Sequence, residues 1–237
     1  MSSKFSKHFK KYKDIINFVP MGFHGKKVIY MKPGRSAGTS IVKTLEEYIN
    51  KHSSDCWFYG QQSKQKPEWL EEITDEEIRD DYFIFSFVRN PFSRVLACWG
   101  DGYRFGVSKD FNKHVKEELW MSDRLEDVNL KRWHGWWNPH YFASKFYSEF
   151  DDGEIFLDWF GKVENINYDW KHLCQEIGIP HLNLSHIRSG GRTWVMEEGK
   201  DVYIKKKEDY KDYYTDETRE IVERVYKRDL EYFNYVF

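Results

Sequence analysis

Small residues crowd around a single arginine in the stretch PGRSAGTS, residues 33–40. Gly34, Ala37 and Gly38 let a backbone approach a ligand closely, while Ser36, Thr39 and Ser40 supply hydroxyls. Arg35 adds a fixed positive charge to the same loop. Directly afterwards Ile41, Thr44, Leu45, Tyr48 and Ile49 recur at the spacing of an amphipathic helix, which we expect to begin at about Ser40. The first amides of a helix have no internal partner and sit at the positive end of its dipole, so such a loop is suited to holding an anion. A plain strand-to-helix turn needs one glycine, not this concentration of small and hydroxyl residues around a charge. Bound phosphate is the chemistry we expect here.

The kind of phosphate follows from what the loop lacks. The nucleotide-triphosphatase signature GxxxxGK[ST] is not met, because Thr39 stands where its lysine belongs. The next apolar run, YFIFSFV (82–88), ends in Arg89, where a magnesium-binding site would want an aspartate. An arginine at a strand end calls for an anion. Two anion-binding groups after two strands fit a ligand with two separate phosphates. For proton transfer the stretch WHGWWNPHY (133–141) offers His134 and His140, with His52, Glu68 and Glu71 also open. Trp133, Trp136, Trp137 and Tyr141 are either a stacking platform or core. Arg188 and Gly190–Gly191 lie in a loop, HIRSGGRTW (186–194), that either closes over a nucleotide or is ordinary surface.

The elements that must position these groups are legible in part. KKVIYM (26–31) and YFIFSFV are short apolar runs rich in β-branched and aromatic residues, as in strands buried on both faces of a parallel sheet. Between them TDEE offers Thr74 as a helix cap and Glu77 to complete a capping box. After the second strand Asn90 suits an N-cap and Pro91 the first helical position, with Val95, Leu96, Cys98 and Trp99 as an apolar stripe. A further strand is expected around 160–163 and late helices near 167–177 and 215–229. In the last of these Ile221, Val222, Val225 and Tyr226 should face inward. The alternation predicts an α/β fold: a three-layer parallel sheet with a P-loop-like, phosphate-binding strand-loop-helix. We expect a loose N-terminal arm over 1–25 and a single domain over 26–237.

Composition narrows the class. The 237 residues carry Lys+Arg 37 against Asp+Glu 39, a net charge of −2 that gives no bulk attraction to nucleic acid. Cys56, Cys98 and Cys174 are odd in number and far apart, which argues against a disulfide framework or a zinc site and for a reducing compartment. The N-terminal stretch lacks the long apolar core of a signal peptide, and no run approaches membrane-spanning length. A soluble, cytoplasmic protein is the expectation.

PGRSAGTS followed by FSFVRNPFSRVLACW resembles the 5′-phosphosulfate loop and 3′-phosphate motif of the sulfotransferases that use PAPS, 3′-phosphoadenosine 5′-phosphosulfate. The chain is most similar to the carbohydrate sulfotransferase kind, whose loop reads roughly P-K-T-A-G-T-S. The likeness continues through FLDWFGKVENINYDWKHLCQEIGI, PHLNLS and DYYTDETREIVERVYKRDLEYFNYVF, in the family's order over residues 26–237. It implies that Gly34, Arg35, Ser36, Ala37, Gly38, Thr39 and Ser40 hold the 5′-phosphosulfate and Arg89 the 3′-phosphate. It also implies PAPS as donor, an acceptor hydroxyl or amine on a carbohydrate or small metabolite, and no metal. The family's loop lysine aligns with Arg35, and its 3′-phosphate serine with Ala97, leaving Ser93 to substitute. Arg35 keeps the charge but cannot act as an acid. Arg188 resembles, loosely, part of the nucleotide loop of cytosolic sulfotransferases. A kinase-like P-loop enzyme and a non-catalytic nucleotide- or sugar-binding relative remain as alternatives.

Overall fold

The computed structural model describes residues 3–12, 17–58, 74–102, 110–119, 144–185, 193–197, 200–204 and 209–237. In chain order the elements are α1 (Lys4–Tyr12), β1 (Phe18–Phe23), β2 (Lys26–Met31), α2 (Gly38–Lys51), β3 (Cys56–Phe58), α3 (Asp75–Asp81) and β4 (Tyr82–Val88). There follow α4 (Pro91–Gly102), α5 (Phe111–Glu118), β5 (Trp159–Lys162) and α6 (Ile166–Glu176). The last are β6 (Thr193–Glu197), β7 (Lys200–Ile204), α7 (Asp216–Val225) and α8 (Lys227–Tyr232). The chain divides into two compact units, residues 1–88 with 144–187, and 89–143 with 188–237.

The first unit is built on a five-stranded sheet of order β3-β1-β2-β4-β5. β2, β4 and β5 run parallel, with Tyr30 opposite Phe85 and Phe87 opposite Gly161. β1 pairs antiparallel with both β2 and β3, so the sheet is mixed, where an all-parallel one was expected. The cause is local: the tight turn at His24 and Gly25 joins β1 to β2, and a connection that short can only make a hairpin. Val28, Ile29, Tyr30 and Met31 are all fully buried, so β2 is covered on both faces. On one face α2 lays Ile41, Leu45 and Ile49 against Val28, Tyr30, Phe85 and Phe87, joined by Trp170 and Leu173 of α6. On the other, Phe9 of α1 meets Phe18 with ring centroids 4.8 Å apart.

Residues 4–12 form a helix and 18–23 an inner strand, where a loose arm was expected. The Asp75 carboxylate accepts the first backbone N–H groups of α1, from Lys4 at 2.8 Å and Phe5 at 3.0 Å. The Lys4 ammonium reaches Asp152 and Glu154, both at 2.6 Å. Pro20 and Gly22, poor strand residues, had hidden β1 in the sequence. Gly22 has a packing reason: a Cβ there would stand 2.0 Å from Trp57 Nε1.

The capping box forms as expected, with the Thr74 side chain accepting from the Glu77 amide and Glu77 from the Thr74 amide. In the second unit Asn90 Oδ1 accepts the Phe92 amide at 3.0 Å, just before α4. The expected helix over 215–229 is interrupted at Tyr226, whose φ of −106° and ψ of 22° separate α7 from α8. Val222 and Tyr226 are buried, while Ile221 and Val225 are only half-buried. Among the described residues no helix is long and apolar enough to cross a membrane.

Arg94 of α4 and Asp229 of α8 face each other at 3.6 Å, each 1% exposed, with the guanidinium over the Tyr226 ring. Removing one member of a buried pair strands the other charge, a loss of about 3–5 kcal/mol. Asp229→Ala should lower unfolding stability by that much in urea titrations. A change within about 1 kcal/mol, the scale of an exposed pair, would mean that Arg94 finds full compensation elsewhere.

Candidate anion-binding site

β2 and β4 end side by side. The Ser86 hydroxyl, fully buried, donates to the Met31 carbonyl at 2.9 Å and fixes the end of β2. The Lys32 amide then donates to the Asn17 carbonyl at 2.8 Å, and Pro33 is buried. From there the chain must reverse into α2 within a few residues. It does so with Arg35 at φ 63° and Ala37 at φ 60°, both left-handed and neither a glycine. Ser36 lies between them with no exposure, and its Oγ has no hydrogen-bond partner among the described residues. A buried hydroxyl in that state costs about 1–3 kcal/mol, so it marks a place where a partner belongs.

The helix start points the same way. α2 begins at Gly38, two residues earlier than expected, and its N-cap, Ala37, provides no side-chain acceptor. The leading amides of α2 are thus left for an outside group. At Gly38 a Cβ would stand 2.6 Å from both Cγ and Cε of Lys32, so the lysine stem lies across the helix start where only glycine admits it. Thr44 Oγ1 donates to Ser40 O at 2.9 Å and accepts the Ser185 amide at 3.0 Å, which ties the segment after α6 to the first turns of α2. Left-handed residues flanking one turn, uncapped amides, a buried hydroxyl and an arginine are groups that can donate to an anion.

After β4, Arg89 Nε donates to Ser93 Oγ at 2.9 Å, and Ser93 Oγ donates to the Asn90 carbonyl at 3.2 Å. Ser93 is therefore held against Arg89. His134, His140 and Arg188 lie outside the described residues, as do Trp133, Trp136, Trp137, Tyr141, Glu68 and Glu71. His52 is described and sits at the far end of α2. That helix has 14 residues, which puts His52 roughly 20 Å from the loop at 1.5 Å per residue. It is not part of this site. Sequence reasoning missed that Ser36 is buried and that Lys32 crosses Gly38; the alternation of left-handed residues behind both has no sequence signal when neither is glycine.

The model of the sulfotransferase family matches residues 1–236 of this chain. The chain belongs to the sulfotransferase family. The match is to family 2 and takes in α1 and β1 as well as the motifs. No significant match is found among curated proteins or among solved structures. Membership makes sulfuryl transfer the general reaction, with a sulfate donor and an acceptor as substrates. The mixed α/β sheet and its helices agree with a sulfotransferase fold.

A left-handed conformation costs a non-glycine residue on the order of 1–2 kcal/mol. Ala37→Gly should therefore raise the melting temperature of this sulfotransferase, offset partly by the greater freedom of glycine in the unfolded chain. Differential scanning calorimetry on the two proteins measures it. A fall in melting temperature would show that the Ala37 methyl contributes more by packing than its backbone loses.

Proposed function

We propose that this sulfotransferase moves a sulfuryl group from PAPS to a hydroxyl or amine of a carbohydrate or small metabolite. The observation that carries the reading is Ser36: a buried, unsatisfied hydroxyl between two left-handed residues at an uncapped helix start. On this reading Gly34 to Ser40 hold the 5′-phosphosulfate in a P-loop-like strand-loop-helix, with amides on its oxygens and the Ser36 hydroxyl donating to one of them. Arg89, braced by Ser93, holds the 3′-phosphate, and Arg188 is a further candidate to contact the nucleotide.

The mechanism follows from charge. The acceptor oxygen or nitrogen attacks sulfur in line, the bond from sulfur to the bridging phosphate oxygen breaks, and PAP leaves carrying the developed negative charge. Arg35 stabilises that charge as it forms, and the loop amides stabilise the equatorial oxygens. A base takes the acceptor's proton; His134 and His140 are our candidates. These steps call for no metal. The alternative of a kinase is disfavoured by Thr39 in place of the lysine and Arg89 in place of an acid.

Two measurements test this. PAP should raise the melting temperature far more than ATP with magnesium; at ~100 times its dissociation constant a ligand stabilises by about 2.7 kcal/mol. Equal stabilisation by adenosine 5′-phosphosulfate, which lacks the 3′-phosphate, would remove Arg89 from the site. Arg35→Ala should lower kcat by on the order of 100- to 1000-fold while changing PAP affinity much less. Arg35→Lys should keep much of the activity. Near-normal kcat in Arg35→Ala, with activity abolished in Lys32→Ala, would transfer the role to the lysine lying across Gly38.

A further inference from the structure

At the opposite end of α2 from the loop, three short-range constraints gather donor atoms that the sulfuryl-transfer reading does not use. β3 pairs with β1 so that Cys56 stands opposite Phe23, and the next residue of the β1–β2 turn is His24. The His24 amide donates to the Asp55 carbonyl at 3.1 Å. The amides of Asp55 and Cys56 both donate back to the His52 carbonyl, at 3.2 and 3.0 Å. His24 itself is held at φ 48°, a left-handed position that a non-glycine residue occupies only under constraint. The backbone thus fixes His24, Asp55 and Cys56 as a group before any side chain is considered.

The side chains complete it. His24 Nδ1 meets Asp55 Oδ2 at 2.6 Å, and His24 Nε2 meets the Tyr48 hydroxyl at 2.8 Å and Cys56 Sγ at 3.9 Å. A carboxylate on one ring nitrogen and a phenol donor on the other assign the tautomer: the proton is on Nδ1 and the bare lone pair on Nε2. A carboxylate behind a histidine with its other nitrogen bare is the arrangement that supports metal ligation.

We propose that His24 Nε2 and Cys56 Sγ, with Asp55 orienting the imidazole from Nδ1, bind a borderline divalent cation, zinc, between the β1–β2 turn and the β3 edge of the sheet. One donor atom from each lies within 4.8 Å of the other two. The imidazole nitrogen and sulfur are 3.9 Å apart. In a tetrahedral zinc site with bonds of about 2.0 and 2.3 Å that edge spans roughly 3.6 Å, so small side-chain rotations close it. One imidazole and one thiolate suit zinc better than a hard cation that takes oxygen ligands. On binding, the Cys56 thiol loses its proton to solvent, the ion takes the Nε2 lone pair in place of the Tyr48 hydroxyl, and water fills its remaining positions. His24 and Asp55 are exposed and Cys56 buried, which gives the ion a way in and the sulfur a protected position. The site is roughly 20 Å from the anion loop along α2, so its role is to clamp the edge of the sheet.

Cobalt(II) tests it, as a coloured substitute for zinc. The full chain, reduced and freed of metal with a chelator, is titrated with cobalt and then with zinc. A thiolate-to-cobalt charge-transfer band at one equivalent, bleached by zinc, is expected. Zinc should also raise the melting temperature by about 5–10 °C at 100-fold excess over its dissociation constant. Cys56→Ala should abolish the band, while Cys98→Ala and Cys174→Ala keep it. His24→Gln, a change at an exposed residue, should weaken cobalt binding at least 10-fold and covers the case of Cys56→Ala failing to fold. No band, or a band and affinity unchanged in both Cys56→Ala and His24→Gln, overturns the site. Because activity is not the readout, the result is independent of whether PAPS is the donor.

Discussion

The parallel pairing of β2 with β4 is the constraint from which the rest of the first unit follows. Tyr30 stacks on Phe85 with their ring centroids 4.9 Å apart, and Ser86 clips its hydroxyl onto the last carbonyl of β2. With that end fixed, α2 has one way to cover the sheet: Ile41, Leu45 and Ile49 must fall on Val28 and Tyr30. The few residues between strand and helix then have no freedom to relax. Arg35 and Ala37 take left-handed backbone because the core on either side dictates where the chain must arrive. Strain in the loop is held by apolar packing several residues away, and the donors it arranges are ready before any ligand comes.

On the proposed reading, Arg35 in place of the family's loop lysine changes how that preorganisation is used. A lysine ammonium is a compact charge on a flexible stem; a guanidinium is a rigid fork that is never deprotonated. A planar donor on a left-handed backbone has fewer orientations to lose on meeting a sulfonate or phosphate. Lys32, whose stem crosses Gly38, keeps an ammonium near the same helix start. Two cations thus flank the turn from different sides of the chain.

Much of this was legible in the sequence because it is local. β2 and β4 carry continuous apolar runs, and the Thr74 capping box and the Asn90–Pro91 helix start are set by neighbours in the chain. What was not legible depends on distant partners. α1 reads as a basic, frayed terminus until Asp75, Asp152 and Glu154 neutralise it. β1 contains a proline and a glycine, and β3 is three residues long, so neither has enough pattern to stand out. Counting cysteines could not reveal a group made of one cysteine with a histidine and an aspartate, since strand pairing brings them together. The break at Tyr226 likewise has no proline or glycine to announce it.

The strand order also sets a timetable for biosynthesis. β1, β2, β3 and β4 are complete once residue 88 has been made, but β5, which covers the other edge of β4, begins at residue 159. At ~5–20 residues per second, translation of the intervening 70 positions (89 to 158) takes roughly 4 to 14 seconds. Throughout that interval the backbone of Phe85 to Val88, an apolar segment buried in the finished protein, presents an open edge. A nascent chain stalled within it offers that edge to its neighbours on the same messenger. Codon usage and chaperone capture between these two points therefore bear on the yield of folded protein more than changes elsewhere in the coding sequence.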